Sequence, residues 1–214
     1  MNTKTKICGL STPESIKAAI ENGASHIGLV FYDQSPRNVD IEAAAALTKL
    51  VPDSVRIVGL FIDPDNTLLE QALNAMRLDL IQLHGKETPE RVLDIKERSQ
   101  KPIMKALPIS DQKDLETVPD YQDSVDYFLF DAKPDPTASE LPGGNGLPFD
   151  WEILKDFQSP KAYFLAGGLT HENVGSAIDL LKPYGVDVSS GVESTSGVKD
   201  SGKIASFLTA VKQA

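Results

Sequence analysis

The chain is poor in cysteine: Cys8 is the only one in 214 residues. One thiol cannot close an internal disulfide, so a disulfide-stapled secreted scaffold is excluded and a reducing cytoplasm is the expected compartment. Long apolar runs are also missing. None approaches the ~20 residues that a membrane-spanning helix needs, and no apolar stretch follows the opening Met1-Asn2-Thr3-Lys4-Thr5-Lys6 as it would in a secretory leader. Positive charge is short as well, with 21 Lys and Arg against 31 Asp and Glu, a formal net charge of −10. That balance argues against nucleic acid or an anionic membrane surface as partner. An anionic ligand would have to be held by local features, against the overall field. Finally, no His/Asp cluster shows metal-ligand spacing, so no metal is expected.

Hydrophobic content of 41% and charged content of 24% are ordinary for a globular protein. The length suits one domain, residues 1–214, large enough to bury a core without disulfide or metal. No linker, low-complexity tract or composition break divides it. Short apolar runs predict strands at Lys4–Cys8, His26–Phe31, Arg56–Ile62, Leu78–Leu83, Pro102–Ala106, Tyr127–Phe130, Ala162–Ala166 and Val186–Ser189. Most are continuously apolar, as parallel strands covered on both faces should be. Between them lie helix-start signals: Ser11-Thr12-Pro13-Glu14, Asp63-Pro64, Thr88-Pro89-Glu90 and Thr170-His171-Glu172, together with an alanine-rich helix over Asp40–Val51. Eight strand–helix units at a spacing of roughly 25 residues predict a closed (β/α)8 barrel of the α/β class rather than an open sheet. The longest irregular stretch, Ala132–Pro148, follows the sixth strand and is a candidate to close over a ligand.

In such a barrel the chemistry sits at the C-terminal ends of the strands. Strand one ends Lys6-Ile7-Cys8-Gly9, and a period of two puts Lys6 and Cys8 on one face. A neighbouring ammonium draws a thiol's pKa down toward the thiolate range, whereas a lone cysteine otherwise reads as a small buried hydrophobe. The loop after strand two carries Ser35-Pro36-Arg37, either a solvated arginine or one suited to a carboxylate. Gln82 and His84 share a face at the end of strand four, as ligand-facing groups or as structural ones. His26 and His171 read as structural or exposed. Asp131 ends strand six, where desolvation would keep a carboxyl protonated enough to act as an acid. The bland alternative for Asp131, a helix cap, is not supported by the following Ala132-Lys133-Pro134. Three glycine-containing stretches, Gly143–Gly146, Ala166–Leu169 and Ser189–Glu193, could bring backbone N–H groups up to a phosphate without adding positive charge. The last two lie at the ends of strands seven and eight, the usual phosphate seat of this fold.

Taken together, these residues resemble the phosphoribosylanthranilate isomerase family. Lys6-Ile7-Cys8-Gly9, Ser35-Pro36-Arg37, Val58-Gly59-Leu60-Phe61, Gln82–Glu87, Asp131, Gly143–Gly146 with Phe149-Asp150-Trp151, Ala166–Leu169, Asp187–Glu193 and Gly197-Val198-Lys199-Asp200 stand in that family's order along essentially the whole chain. Asn145, where Thr or Ser is expected, and Ser196, where Pro is frequent, depart from it. The resemblance implies an Amadori rearrangement of N-(5-phosphoribosyl)anthranilate in tryptophan biosynthesis, without cofactor; a monomer is expected separately, because no exposed apolar helix face stands out in the sequence. Cys8 would be the general base and Asp131 the general acid. Arg37 would bind the anthranilate carboxylate, Asp187 would contact the amino nitrogen, and Gln82 and His84 would face the substrate. Backbone around Gly144, Gly146, Gly167, Gly168, Ser190 and Gly191 would hold the phosphate. Lys6 is then the group expected to bias the shared proton from Cys8 toward Asp131. The competing readings are another sugar-phosphate barrel enzyme, for which Lys105 is the one tempting catalytic lysine, and a binding module without catalysis.

Overall fold

The structure is a computed structural model and describes residues 3–133 and 150–214. Eight parallel strands close into a barrel in sequence order: Lys4–Cys8 (β1), His26–Phe31 (β2), Arg56–Phe61 (β3), Leu80–Leu83 (β4), Ile103–Ile109 (β5), Tyr127–Ala132 (β6), Tyr163–Leu165 (β7) and Gly185–Val188 (β8), with β8 paired back onto β1. Outside them lie the helices Pro13–Glu21 (α1), Ile41–Thr48 (α2), Asn66–Ala75 (α3), Pro89–Ser99 (α4), Glu152–Lys155 (α5), Val174–Leu181 (α6) and Ser201–Gln213 (α7). The expected fold class is therefore present. Among the described residues no helix is long and apolar enough to cross a membrane.

Local chemistry explains most element boundaries. The Thr12, Asp40, Asp65, Thr88 and Asp200 side chains each accept from a backbone N–H in the first turn of α1, α2, α3, α4 and α7, filling donors that the helix itself cannot satisfy. The start signal at Thr170 is displaced: α6 begins at Val174, because Asn173 accepts from Thr170 N and donates to Gly168 O, tying residues 168–173 into a turn. The unit after β5 is a 3₁₀ segment, Gln112–Tyr121, with Pro119 inside it, and not an α-helix. The loop expected over 132–148 lies almost entirely outside the described residues, and its Ala132 is the last residue of β6.

Alternation along the strands sorts the core into two compartments. Ile7, Ile27, Ile57, Ile81 and Ile103 point outward and pack under the helices. Val58, Leu80, Met104, Leu129 and Phe164 point inward and fill the barrel. Each buried aliphatic or aromatic side chain of this kind contributes about 1.5–3 kcal/mol. Toward the C-terminal ends of the strands the inward positions change character, and polar groups take over.

Candidate active site

Strand pairing fixes which interior groups are neighbours. Lys6 stands opposite Asp187 of β8 on one side and His26 of β2 on the other, and Cys8 stands opposite Gly28 of β2. Lys6 is fully buried, and its Nζ donates to Asp187 Oδ1 at 2.9 Å. Cys8, Asp131 and Asp187 are buried with it. Burial works against the Lys6 ammonium, but Asp187 and Cys8 beside it hold its pKa above the ordinary value. For Cys8 the balance goes the other way. Burial, joined by the Asp187 carboxylate, raises its pKa despite the opposing pull of Lys6 and Lys199, which favours the thiol. The cation expected beside Cys8 is present and draws the thiol down, as a neighbouring ammonium should, but burial and Asp187 oppose it. Burial, with Asp131 nearby, likewise pushes the Asp187 carboxyl up despite the pull of Lys6.

Gln82 and His84 do share an inward face. The Gln82 amide nitrogen lies 3.2 Å from His84 Nδ1, and His84 Nε2 lies 3.4 Å from Asp131 Oδ2. The other Asp131 oxygen accepts from Ala132 N at 2.9 Å. Gln82, His84 and Asp131 thus form one chain across β4 and β6, with Gln82 Oε1 buried and without a hydrogen-bond partner among the described residues.

Arg37 is buried, not a solvated loop residue. Its Nε and one terminal nitrogen donate to Glu193 Oε1 and Oε2 at 2.7 and 2.9 Å, a bidentate fork. Glu193 opens a short hairpin, Glu193–Thr195 (β9) with Val198–Lys199 (β10), and Lys199 Nζ lies 2.6 Å from its Oε1. Arg37 and Lys199 keep the Glu193 carboxyl below its ordinary range despite burial. Lys199 also donates to Ser189 O and Oγ, and Ser189 Oγ donates to Cys8 O. The hairpin therefore ties Arg37 to the strand end that carries Cys8.

At the ends of β7 and β8, Gly167 and Gly168 both have positive φ, 84° and 63°. A side chain at Gly167 would run into the backbone of Ala132, and one at Gly191 into the carbonyl of Leu169. The two loops consequently pack backbone to backbone, with Ser190 and Gly191 in a 3₁₀ turn. Gly144 and Gly146 lie outside the described residues.

The family model described as N-(5'-phosphoribosyl)anthranilate (PRA) isomerase matches residues 5–210. The chain belongs to this family. An N-(5'-phosphoribosyl)anthranilate isomerase from Chelativorans sp. (strain BNC1) is 46% identical over all of this chain and 98% of its own. The crystal structure of phosphoribosyl anthranilate isomerase from Thermotoga maritima superposes with a TM-score of 0.89 at 33% identity, over 99% of this chain and 100% of that one. Another isomerase structure, solved in complex with reduced 1-(o-carboxyphenylamino)-1-deoxyribulose 5-phosphate, matches with a TM-score of 0.86 at 32% identity, again over 99% and 100%.

Within this family frame, Lys105 is accounted for differently from a catalytic lysine. Met104 and Ala106 face the barrel interior, so Lys105 between them points outward, where it meets Glu87 at 2.8 Å. Three participants were missed by the sequence reading: Gly28, Glu193 and Lys199. Gly28 carried a local signal as a lone glycine inside an apolar strand, while Glu193 and Lys199 stood in the motifs Asp187–Glu193 and Gly197–Asp200 without a role of their own. A Cβ there would sit 2.9 Å from Cys8 Sγ and 3.1 Å from Lys6 Cε.

Proposed function

We propose that this protein isomerises N-(5-phosphoribosyl)anthranilate, an aminoaldose phosphate, to the corresponding aminoketose phosphate, an Amadori rearrangement in tryptophan biosynthesis. The observation that carries the reading is the polar band of Cys8, Asp131, Asp187 and His84 at the strand ends of a barrel that belongs to this family. The reaction consists of proton moves alone and calls for neither redox cofactor nor metal. An acid protonates the ring oxygen and the furanose opens to a Schiff base. A base then removes the C2 proton to give an enolamine, which tautomerises to the ketone.

Asp131 is the acid and Cys8 the base in this scheme, with each group contributing about 10²–10⁴-fold. His84 orients Asp131, and Gln82 presents its unpartnered Oε1 to a substrate hydroxyl. Asp187 contacts the amino nitrogen and Arg37, steadied by Glu193, takes the anthranilate carboxylate. Backbone around Gly167, Gly168, Ser190 and Gly191 holds the phosphate, joined by Gly144 and Gly146. Neutral donors of this kind suit a chain of net charge −10, which has little positive field to spend on a phosphate. The ligand of the relative described above, an N-aryl deoxyribulose phosphate, has the carboxylate, nitrogen and phosphate that these groups would meet. The reading takes residues 1–214 as one catalytic domain, acting as a cytoplasmic monomer, and size-exclusion chromatography checks the last point.

The test follows anthranilate-adduct fluorescence as purified protein meets freshly made phosphoribosylanthranilate. Fast loss with wild type and none with Cys8→Ala or Asp131→Asn is the expected result. Turnover that survives either change removes that residue from its role. No turnover by wild type overturns the assignment of substrate.

A further inference from the structure

Lys6 is a fully buried ammonium with two acidic neighbours. Asp187 Oδ1 lies 2.9 Å from its Nζ, and the Cys8 thiol lies on its other side, with both side chains against Gly28. Gly28 makes the second contact possible, because its missing side chain leaves Lys6 Cε and Cys8 Sγ side by side over the same backbone. The groups facing Cys8 are thus Lys6 on its own strand, Asp187 on β8 and Lys199 on β10, the last already bound to Glu193. Asp187 in turn faces Asp131 of β6 and His84 beyond β4, and Lys6 faces His26 of β2.

We propose that Lys6 is a positioning residue that shares its charge between Cys8 and Asp187, so that the charge on Asp187 decides whether Cys8 ionises. One cation in a desolvated space balances one anion well and two poorly. With Asp187 ionised and bound to Lys6, Cys8 stays a thiol, in keeping with the upward push that the nearby Asp187 carboxylate adds to burial. Neutralising Asp187 frees the ammonium for sulfur. The S–H bond then breaks, the electron pair stays on sulfur and the proton passes to water. The inference rests on Cys8 as the base of the reading above, and it adds an order of events. A cationic Schiff-base nitrogen formed beside Asp187 cancels that anion, so the base becomes active only after the ring has opened. A base held off until then is protected from side reactions while the site is empty.

The experiment is the pH dependence of Cys8 alkylation by iodoacetamide in the full-length protein, read by mass spectrometry. Cys8 is the chain's only cysteine, so every adduct reports on it. Limited access to the thiol lowers the rate but leaves the midpoint pH in place. Asp187→Asn is expected to lower the midpoint by about one pH unit or more, and Lys6→Met to raise it by a similar amount, as removal of an adjacent charge does. Lys6→Met leaves Asp187 buried and unpaired and can impair folding. The double variant Lys6→Met/Asp187→Asn removes both charges, and its midpoint is expected above that of Asp187→Asn alone. An Asp187→Asn midpoint that stays or rises overturns the proposal, as does a double variant that titrates with Asp187→Asn. Failure of the catalytic reading shows elsewhere, as turnover by Cys8→Ala, and leaves these midpoints interpretable.

Discussion

The Lys105 ammonium and the Glu87 carboxylate meet at 2.8 Å on the outer side of the barrel wall, both almost wholly buried. Lys105 Nζ also donates to Gly85 O at 2.8 Å, while Glu87 accepts from Gly85 N and Asp63 N. Tyr121 OH closes the arrangement by donating to Glu87 O. The pair grips the backbone immediately after His84 and so fixes where that imidazole points. Losing one partner strands the other charge out of water, which costs about 3–5 kcal/mol, whereas removing both charges is often close to neutral. Urea unfolding should therefore show Lys105→Met far less stable than wild type, with Lys105→Met/Glu87→Gln recovering much of the loss. A double variant as unstable as the single one would show that packing, and not charge, governs the site.

His26 predicts a pH dependence of stability. Burial, then Lys6, Arg56 and Lys4, lower its pKa from 6.5 to about 4. Between these values the unfolded chain binds a proton that the folded one refuses. Stability is thus complete above pH 6.5 and falls as the pH drops toward 4. The loss attributable to this group is about 2 kcal/mol at pH 5. Denaturant unfolding of wild type and His26→Gln at pH 7.5 and pH 5 isolates it, since the carboxylates are common to both. The stability gap between the two proteins should narrow or reverse at the lower pH. A gap that does not change with pH would place the His26 pKa near its ordinary value.

How much of this was legible in the sequence depends on whether a contact is local. The eight strands were readable because parallel strands covered on both faces leave continuous apolar runs. The pairing of Lys6 with Cys8 followed from a period of two. What period cannot give is the outcome of a competition. Lys6 does adjoin Cys8, yet the thiol goes up because it is also buried, a quantity set by the closed barrel. Arg37 and Glu193 are 156 residues apart, and nothing near either one announces the other. The 3₁₀ segment over Gln112–Tyr121 begins with a good acidic cap, Asp111, but Pro119 denies it an α-helical hydrogen bond. Lys105 tempted a catalytic reading because it stands in a strand, and only the inward direction of Met104 and Ala106 settles that it faces away.

Gly28 should not tolerate a side chain. In Gly28→Ala the new methyl would lie 2.9 Å from Cys8 Sγ and 3.1 Å from both Cys8 Cα and Lys6 Cε, so the strand end or the thiol must shift. Overpacking of this kind costs about 1–3 kcal/mol, and a base displaced by a fraction of an ångström to 1 Å loses up to about 10²-fold in rate. The expected result is a folded protein with kcat sharply reduced and KM changed little. Unaltered kcat would show that the sulfur has room to move without consequence.

Arg37→Lys separates charge from geometry at the proposed carboxylate site. Lysine keeps the positive charge but cannot reproduce the fork that Arg37 makes with both oxygens of Glu193. Glu193 would keep Lys199, at 2.6 Å, as its remaining cation, and the hairpin of β9 and β10 would survive. The change therefore falls on the alignment of the cation toward substrate and not on the fold. A charge-assisted hydrogen bond is worth about 1.5–3 kcal/mol, so KM for phosphoribosylanthranilate should rise about 10–100-fold with kcat much less affected. Steady-state kinetics decide the matter. A fall in kcat at unchanged KM would mean that Arg37 serves the transition state, through the Ser189 and Lys199 link to Cys8, and does not anchor the carboxylate.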